Sequence, residues 1–286
     1  MKPAPFEYHR VHDLEEAVAR LAELGDEAKV LAGGQSLVPM MNFRIVRPAA
    51  LVDITRVPGL DRIQRDGDTL TIGALTRHAA IERLTGEAAR GYGILPRAAH
   101  WVGHFPIRAR GTFGGSIAHA DPAAEWCMLA LAFDAEIGCT GPDGPRAVPA
   151  AEFFLGFMTT GLEPGELVTE VRLPRPWPRA AIQEFARRHG DFAVVAAVAA
   201  VDVEAGRCRE ARIVLGGVDE LPVRAREAEQ LLAGAELGDG ALAEAAATAA
   251  AEIDPVGDLH GSAEYRRRLA DVLVRKALEE AIADAG

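Results

Sequence analysis

At 286 residues, 49% of them hydrophobic, the chain is long enough to bury a sizeable core and to form one large domain or two to three smaller ones. Its net charge of -11 and pI near 5.3 argue against a nucleic-acid partner, and no cluster of Lys or Arg supplies a basic face. The three cysteines, Cys127, Cys139 and Cys208, are odd in number and far apart, which excludes a disulfide framework and a four-thiolate metal or iron-sulfur site.

Met1 to His12 carries no apolar signal core. The longest uncharged apolar run, Phe192 to Val201, is too short to span a bilayer, so a soluble chain in a reducing cytoplasm is expected. Asp13 and Glu16 form a capping-box pattern, and Leu14, Ala17, Val18, Leu21 and Leu24 then recur at helical spacing until Gly25. A strand over Lys29 to Ala32 follows and breaks into Gly33-Gly34-Gln35-Ser36-Leu37. Next come a segment holding Met40, Met41 and Asn42, its methionines read as core filler, and a strand over Leu51 to Ile54. This is a βαβ-like unit. Asp66-Gly67-Asp68 predicts a hairpin between Arg62 to Arg65 and Thr69 to Ala74.

Thr76 is placed to cap a helix running to Leu84, and Ile94 to Val102 suggests another. His100 and His104 are spaced like two zinc ligands on one helix face, but no third ligand or HExxH glutamate accompanies them, and core or surface histidines are the preferred reading. A second glycine loop spans Arg110 to Ala120. Asp121 and Pro122 then read as the N-cap and first residue of an apolar helix reaching Phe133. Ala135 to Thr140 and Arg146 to Val148 predict another hairpin. A strand over Leu167 to Leu173 ends at Pro174-Arg175-Pro176-Trp177-Pro178, where a domain boundary is expected. Beyond it, Ala180 to Arg187, Ala193 to Glu204 and Glu210 to Leu215 read as strands. Helices follow near Val223 to Leu232, Asp239 to Ala251 and Ala263 to Ala283, an α+β layout.

The two glycine pairs carry the chemistry. Each precedes one of the chain's three serines, and adjacent glycines permit φ > 0 and let an anion approach several amide N-H groups. A lone Gly-Gly pair is usually only a turn; two of them, Gly33 to Ser36 and Gly114 to Ser116, suit a diphosphate wedged between lobes. Neither pair has the Gly-Lys-Ser/Thr of a P-loop, the GxGxxG of a dinucleotide fold or the Gly-x-Ser-x-Gly of a hydrolase elbow.

The runs Ala32-Gly33-Gly34-Gln35-Ser36-Leu37 with Met41-Asn42-Phe43-Arg44, and Gly111-Thr112-Phe113-Gly114-Gly115-Ser116-Ile117-Ala118-His119-Ala120-Asp121-Pro122, resemble the two FAD motifs of the medium subunit of molybdenum hydroxylases. That family includes aerobic carbon monoxide dehydrogenase and xanthine dehydrogenase. The stretches Phe153 to Thr160 and Arg187 to Ala193 resemble it as well, so the likeness covers essentially the whole chain.

The resemblance implies a two-lobed FAD-binding fold of the PCMH type over residues 1–176, with lobes of about 1–56 and 57–176. A smaller α+β C-terminal domain over 177–286 would follow. It implies that Gly33, Gly34, Gln35, Ser36, Thr112, Gly114, Gly115 and Ser116 bind the FAD diphosphate and neighbouring hydroxyls, with Ala32, Leu37, Ala118 and Val168 also at the cofactor. Glu125 stands where the family usually has Asp, contacting a ribose or ribityl hydroxyl. Phe192 matches the position beside the isoalloxazine ring, although as an apolar residue opening a strand it reads equally well as core. FAD would be held on this chain, with the molybdenum cofactor on a large partner subunit and 2Fe-2S clusters on a small one, as a dimer of heterotrimers. Without the resemblance, a self-sufficient flavin reductase and a non-enzymatic nucleotide-binding scaffold both remain open.

Overall fold

The computed structural model describes residues 2–283. The chain opens with β1 (Glu7–Arg10), α1 (Leu14–Leu24), β2 (Ala28–Leu31), the short α2 (Leu37–Asn42) and β3 (Ala50–Asp53). Asp13 caps α1 by accepting the Glu16 N-H at 2.7 Å, while the Glu16 carboxylate receives the His12 N-H at 2.9 Å. The three strands form a parallel sheet in the order β1-β3-β2, and Ala17 and Leu21 of α1 are buried with Val52 and Ile54 beside it. The first strand has no counterpart in the sequence reading.

A second unit begins with the hairpin of β4 (Ile63–Asp66) and β5 (Thr69–Gly73). Five helices follow: α3 (His78–Glu82), α4 (Ile94–Trp101), α5 (Phe105–Arg108), α6 (Phe113–His119) and α7 (Glu125–Ala132). Then come β6 (Glu136–Gly141), β7 (Gly144–Pro149), α8 (Ala150–Phe153), β8 (Phe154–Gly156), β9 (Thr159–Thr160) and β10 (Leu167–Leu173). The five long strands make an antiparallel sheet, β4-β5-β10-β6-β7, and α7, apolar all round, is buried through Trp126 to Ala130.

One local expectation is corrected here, and the helix face weighed for two zinc ligands is not formed. The helix that Thr76 was expected to cap begins at His78 with Arg77 as its cap, because an isolated bridge between Arg77 and Thr112 and the bond from Phe113 N-H to the Thr76 carbonyl hold residues 76 and 77 extended. His100 and His104 do not share a helix. Helix α4 ends at Trp101, and His104 is the extended residue preceding α5.

The last unit consists of β11 (Ala180–Phe185), β12 (Val195–Glu204), β13 (Arg207–Gly216) and β14 (Val223–Arg224), an antiparallel sheet in that order, then α9 (Arg226–Leu232), α10 (Asp239–Ala251) and α11 (Ala263–Ala283). The helix expected from Val223 starts at Arg226, since Val223 pairs with Leu215 in the sheet. Side chains alternate across this sheet. Ala181, Ala197, Ala199 and Leu215 face α9 to α11, whereas Ala180, Ile182, Ala196 and Val198 join the core that contains α7.

Candidate functional site

The first glycine pair leaves β2 one residue after its end. Gly34 lies in the left-handed region at φ 70°, as the tight turn requires, but Gly33 does not. Gly33 is needed for proximity: a Cβ there would stand 2.5 Å from the Arg110 carbonyl oxygen and 2.7 Å from the Gly111 Cα. The two sequence motifs therefore touch through their backbones. Among the described residues, the N-H groups of Gly33, Gly34, Gln35 and Ser36 donate to no protein acceptor, while the Gln35 Nε2 donates to the Gly33 carbonyl at 3.0 Å. Four adjacent donors are thus left available to an anion.

The second pair differs from the expectation of a loop. Gly114 and Gly115 are helical residues in the first turn of α6, and neither takes a positive φ. Thr112 is the N-cap, its Oγ1 accepting the Gly115 N-H at 3.2 Å; the Gly114 N-H donates to the Ala74 carbonyl at 2.9 Å and the Ser116 N-H to the Thr112 carbonyl at 3.1 Å. These amides are committed within the chain. Gly114 is required because a Cβ would come within 2.6 Å of the Ala74 Cα. The next helix also starts later than expected. Ala120 is left-handed, Asp121 accepts the Ala123 N-H at 2.9 Å in a turn, and α7 begins at Glu125 with Ala124 preceding it, so Pro122 is not its first residue.

Between the motifs lies a cavity of about 730 Å³, large enough for a cofactor-sized ligand. Ala32, Gly33, Gly34, Gln35, Ser36, Leu37, Thr112, Gly114, Gly115, Ser116, Ala118, Glu125, Val168 and Phe192 all line it. Phe192 is 66% exposed rather than core, and Gly190 beside it is left-handed and abuts the His104 ring. Lys29, His78, Asp121 and the Leu162 to Leu167 segment line the cavity too. Of these, Lys29 was discoverable by its position in the strand leading to the first motif. His78 gives no local signal.

The cavity's electrostatics follow from burial. The His78 pKa is pushed down to about 4, chiefly by burial and further by Arg77 and Arg108, and its Nδ1 accepts the Trp126 Nε1-H at 3.0 Å. A neutral ring is thereby fixed against Gly111, where a Cβ would stand 2.6 Å from it. Asp121 and Glu125 are both held above the usual carboxylate range by burial, and Asp121 adds like-charge repulsion to Glu125. The donor set fits an FAD: unpaired amides for a diphosphate, carboxylates for hydroxyl groups and an exposed aromatic ring at one mouth.

Residues 4–176 match the family described as the FAD binding domain in molybdopterin dehydrogenase, and residues 180–281 the CO dehydrogenase flavoprotein C-terminal domain. The chain is 43% identical over 285 residues to the 6-hydroxypseudooxynicotine dehydrogenase complex subunit alpha of Paenarthrobacter nicotinovorans, covering 99% of this chain and 96% of that one. It is 38% identical to the carbon monoxide dehydrogenase medium chain of Afipia carboxidovorans, covering 100% and 99%. A solved carbon monoxide dehydrogenase from Hydrogenophaga pseudoflava superposes with a TM-score of 0.96 at 37% identity, with 100% of both chains covered. With matching motifs, a cavity between them and relatives alike from end to end, the chain belongs to the FAD-binding medium subunits of the molybdenum hydroxylases.

Proposed function

We propose that this chain is the FAD-carrying electron-transfer subunit of a molybdenum-containing hydroxylase or dehydrogenase. It takes electrons from 2Fe-2S clusters on a small partner subunit and passes them to an external acceptor. A large subunit binds molybdenum and oxidises the substrate, and the assembly is a dimer of heterotrimers in the cytoplasm. In support, relatives are named as a medium chain and as a complex subunit, and no helix among the described residues is long and apolar enough to cross a membrane.

The observation that carries the reading is the row of unpaired amides at Gly33 to Ser36, residues that line one cavity together with those of the second motif. When bound, FAD supplies the redox chemistry, accepting and releasing electrons. The chain's residues hold it. Residues 1–176 form the cofactor unit, lobes 1–56 and 57–176 enclosing the cavity, and 177–286 form the C-terminal domain. The Gly33 to Ser36 amides bind the diphosphate, and Gly114 and Gly115 keep the opposite wall free of side chains. The Glu125 carboxylate accepts from a ribityl or ribose hydroxyl, and Phe192 covers the isoalloxazine edge.

The test is flavin release and partner dependence. Purified chain should be yellow and should lose its flavin to the supernatant on acid denaturation. Under anaerobic conditions it should be bleached by a chemical reductant yet be inert to organic substrates until the two partners are added. Flavin that stays with the denatured polypeptide, or bleaching by a substrate without partners, contradicts this reading.

A further inference from the structure

Glu184 lies on β11 at the seam between the C-terminal sheet and the cofactor unit. Its parity matches Ala180 and Ile182, which belong to the core containing α7, so its side chain is on the sheet face turned to that helix. Across the sheet, Glu184 pairs with Ala196 and Ala196 with Gly216. Gly216 in turn sits directly against the start of α7, where a Cβ would meet the Met128 Sδ at 2.5 Å and the Pro122 carbonyl at 2.9 Å. Glu125, first residue of α7, lines the cavity from the other side of this seam. The Glu184 Oε1 is buried with no hydrogen-bond partner.

A buried carboxylate oxygen without a donor is costly, and a protonated carboxyl relieves that cost. Burial first, then the Glu125 charge, raises the Glu184 pKa; burial first, then Asp121, raises that of Glu125. The remaining ionisable neighbours offer little relief. Burial lowers the pKa of His119 beside Asp121, and the Cys127 thiol near Glu125 is driven far toward the neutral form.

We propose that Glu184 is a positioning residue for Glu125: the two carboxyls hold one proton between them at neutral pH, Glu184 carrying it, so that of this pair only Glu125 presents a charge to the FAD cavity. The C-terminal domain thereby sets a charge beside the cofactor from Glu184, a residue outside the cavity lining. A change of charge on the bound cofactor shifts the proton occupancy of this pair, exchanging protons with the medium. The inference rests on the FAD reading above, and flavin content reports on that reading separately.

The test uses the full chain as purified with its flavin. Infrared difference spectra across neutral to alkaline pH should show a protonated carboxyl carbonyl band, sensitive to deuterium, that disappears on titration. Glu184→Gln keeps the size and neutrality of the protonated side chain, so flavin content should equal wild type while the band is lost. The flavin midpoint potential should also lose part of its pH dependence in that range. Glu125→Gln should lose the pair's titration as well, and Glu184→Met serves if the glutamine variant does not fold. Wild-type stability should fall as pH rises above the ordinary carboxylate range, because the folded chain retains protons that the unfolded chain has released. No carboxyl band at neutral pH in flavin-loaded wild type, or a band and potential slope unchanged in Glu184→Gln, overturns the proposal. A chain that binds no flavin overturns the functional reading instead.

Discussion

Gly33 and Gly34 are neighbours with different requirements, one for close approach and the other for a left-handed turn. Gly33→Ala sets a methyl against the Arg110 carbonyl, and Gly34→Val puts a branched residue at φ 70°. Both should abolish flavin retention. Ser36→Ala removes one hydroxyl, worth roughly 0.5 to 1.5 kcal/mol, and should weaken binding by about two- to thirteenfold. Equilibrium dialysis with FAD ranks the three; Gly33→Ala binding like wild type contradicts the contact between motifs. His78 supplies the pH prediction. Its folded-state pKa of about 4 lies below the ordinary 6.5, so its contribution is complete above 6.5 and is lost as pH falls toward 4, on the order of 3 kcal/mol in all. His78→Gln, which retains an acceptor for Trp126, should flatten that acid limb in urea titrations at successive pH values. The candidate residues were legible because glycine pairs and the family's motifs mark them locally. His78 was not, because its partners Gly111 and Trp126 are distant in sequence.

At the scale of elements, α6 shows why the second motif reads as a loop in the sequence. Two glycines in seven residues oppose a helix by propensity. The Thr112 cap and the bond from Gly114 to Ala74 override that local preference. Thr112→Ala should therefore destabilise the chain by about 0.5 to 2 kcal/mol and lower flavin content, measured by urea denaturation beside absorbance. An unchanged midpoint would mean that the cap contributes nothing. The strand β1 leaves no signal in the sequence for the opposite reason. It is mostly exposed, shows no buried face of its own, and gains its pairing only from β3, some forty residues later. By contrast, α1, β10 and α11 carried their caps, alternation or length in the local sequence.

At the scale of the whole molecule, the α+β class and the order of strands before helices in the last unit were legible, since periodicity and turn residues are local. How that unit meets the cofactor half was not, because contacts such as Gly216 against α7 join residues far apart in the chain. This seam has a consequence for biosynthesis. The stretch containing both glycine motifs leaves the ribosome first, but the Pro122 carbonyl that precedes α7 waits for the Gly217 N-H. Arg97 on α4 likewise waits for Glu280, near the end of the last helix, with which it pairs at 3.1 Å. A nascent chain thus exposes the back of its cofactor wall until translation is almost finished. Cofactor capture should follow release, so that flavin supply acts on completed chains: ribosome complexes stalled before β11 should retain no FAD, whereas chains released in the same extract should become yellow.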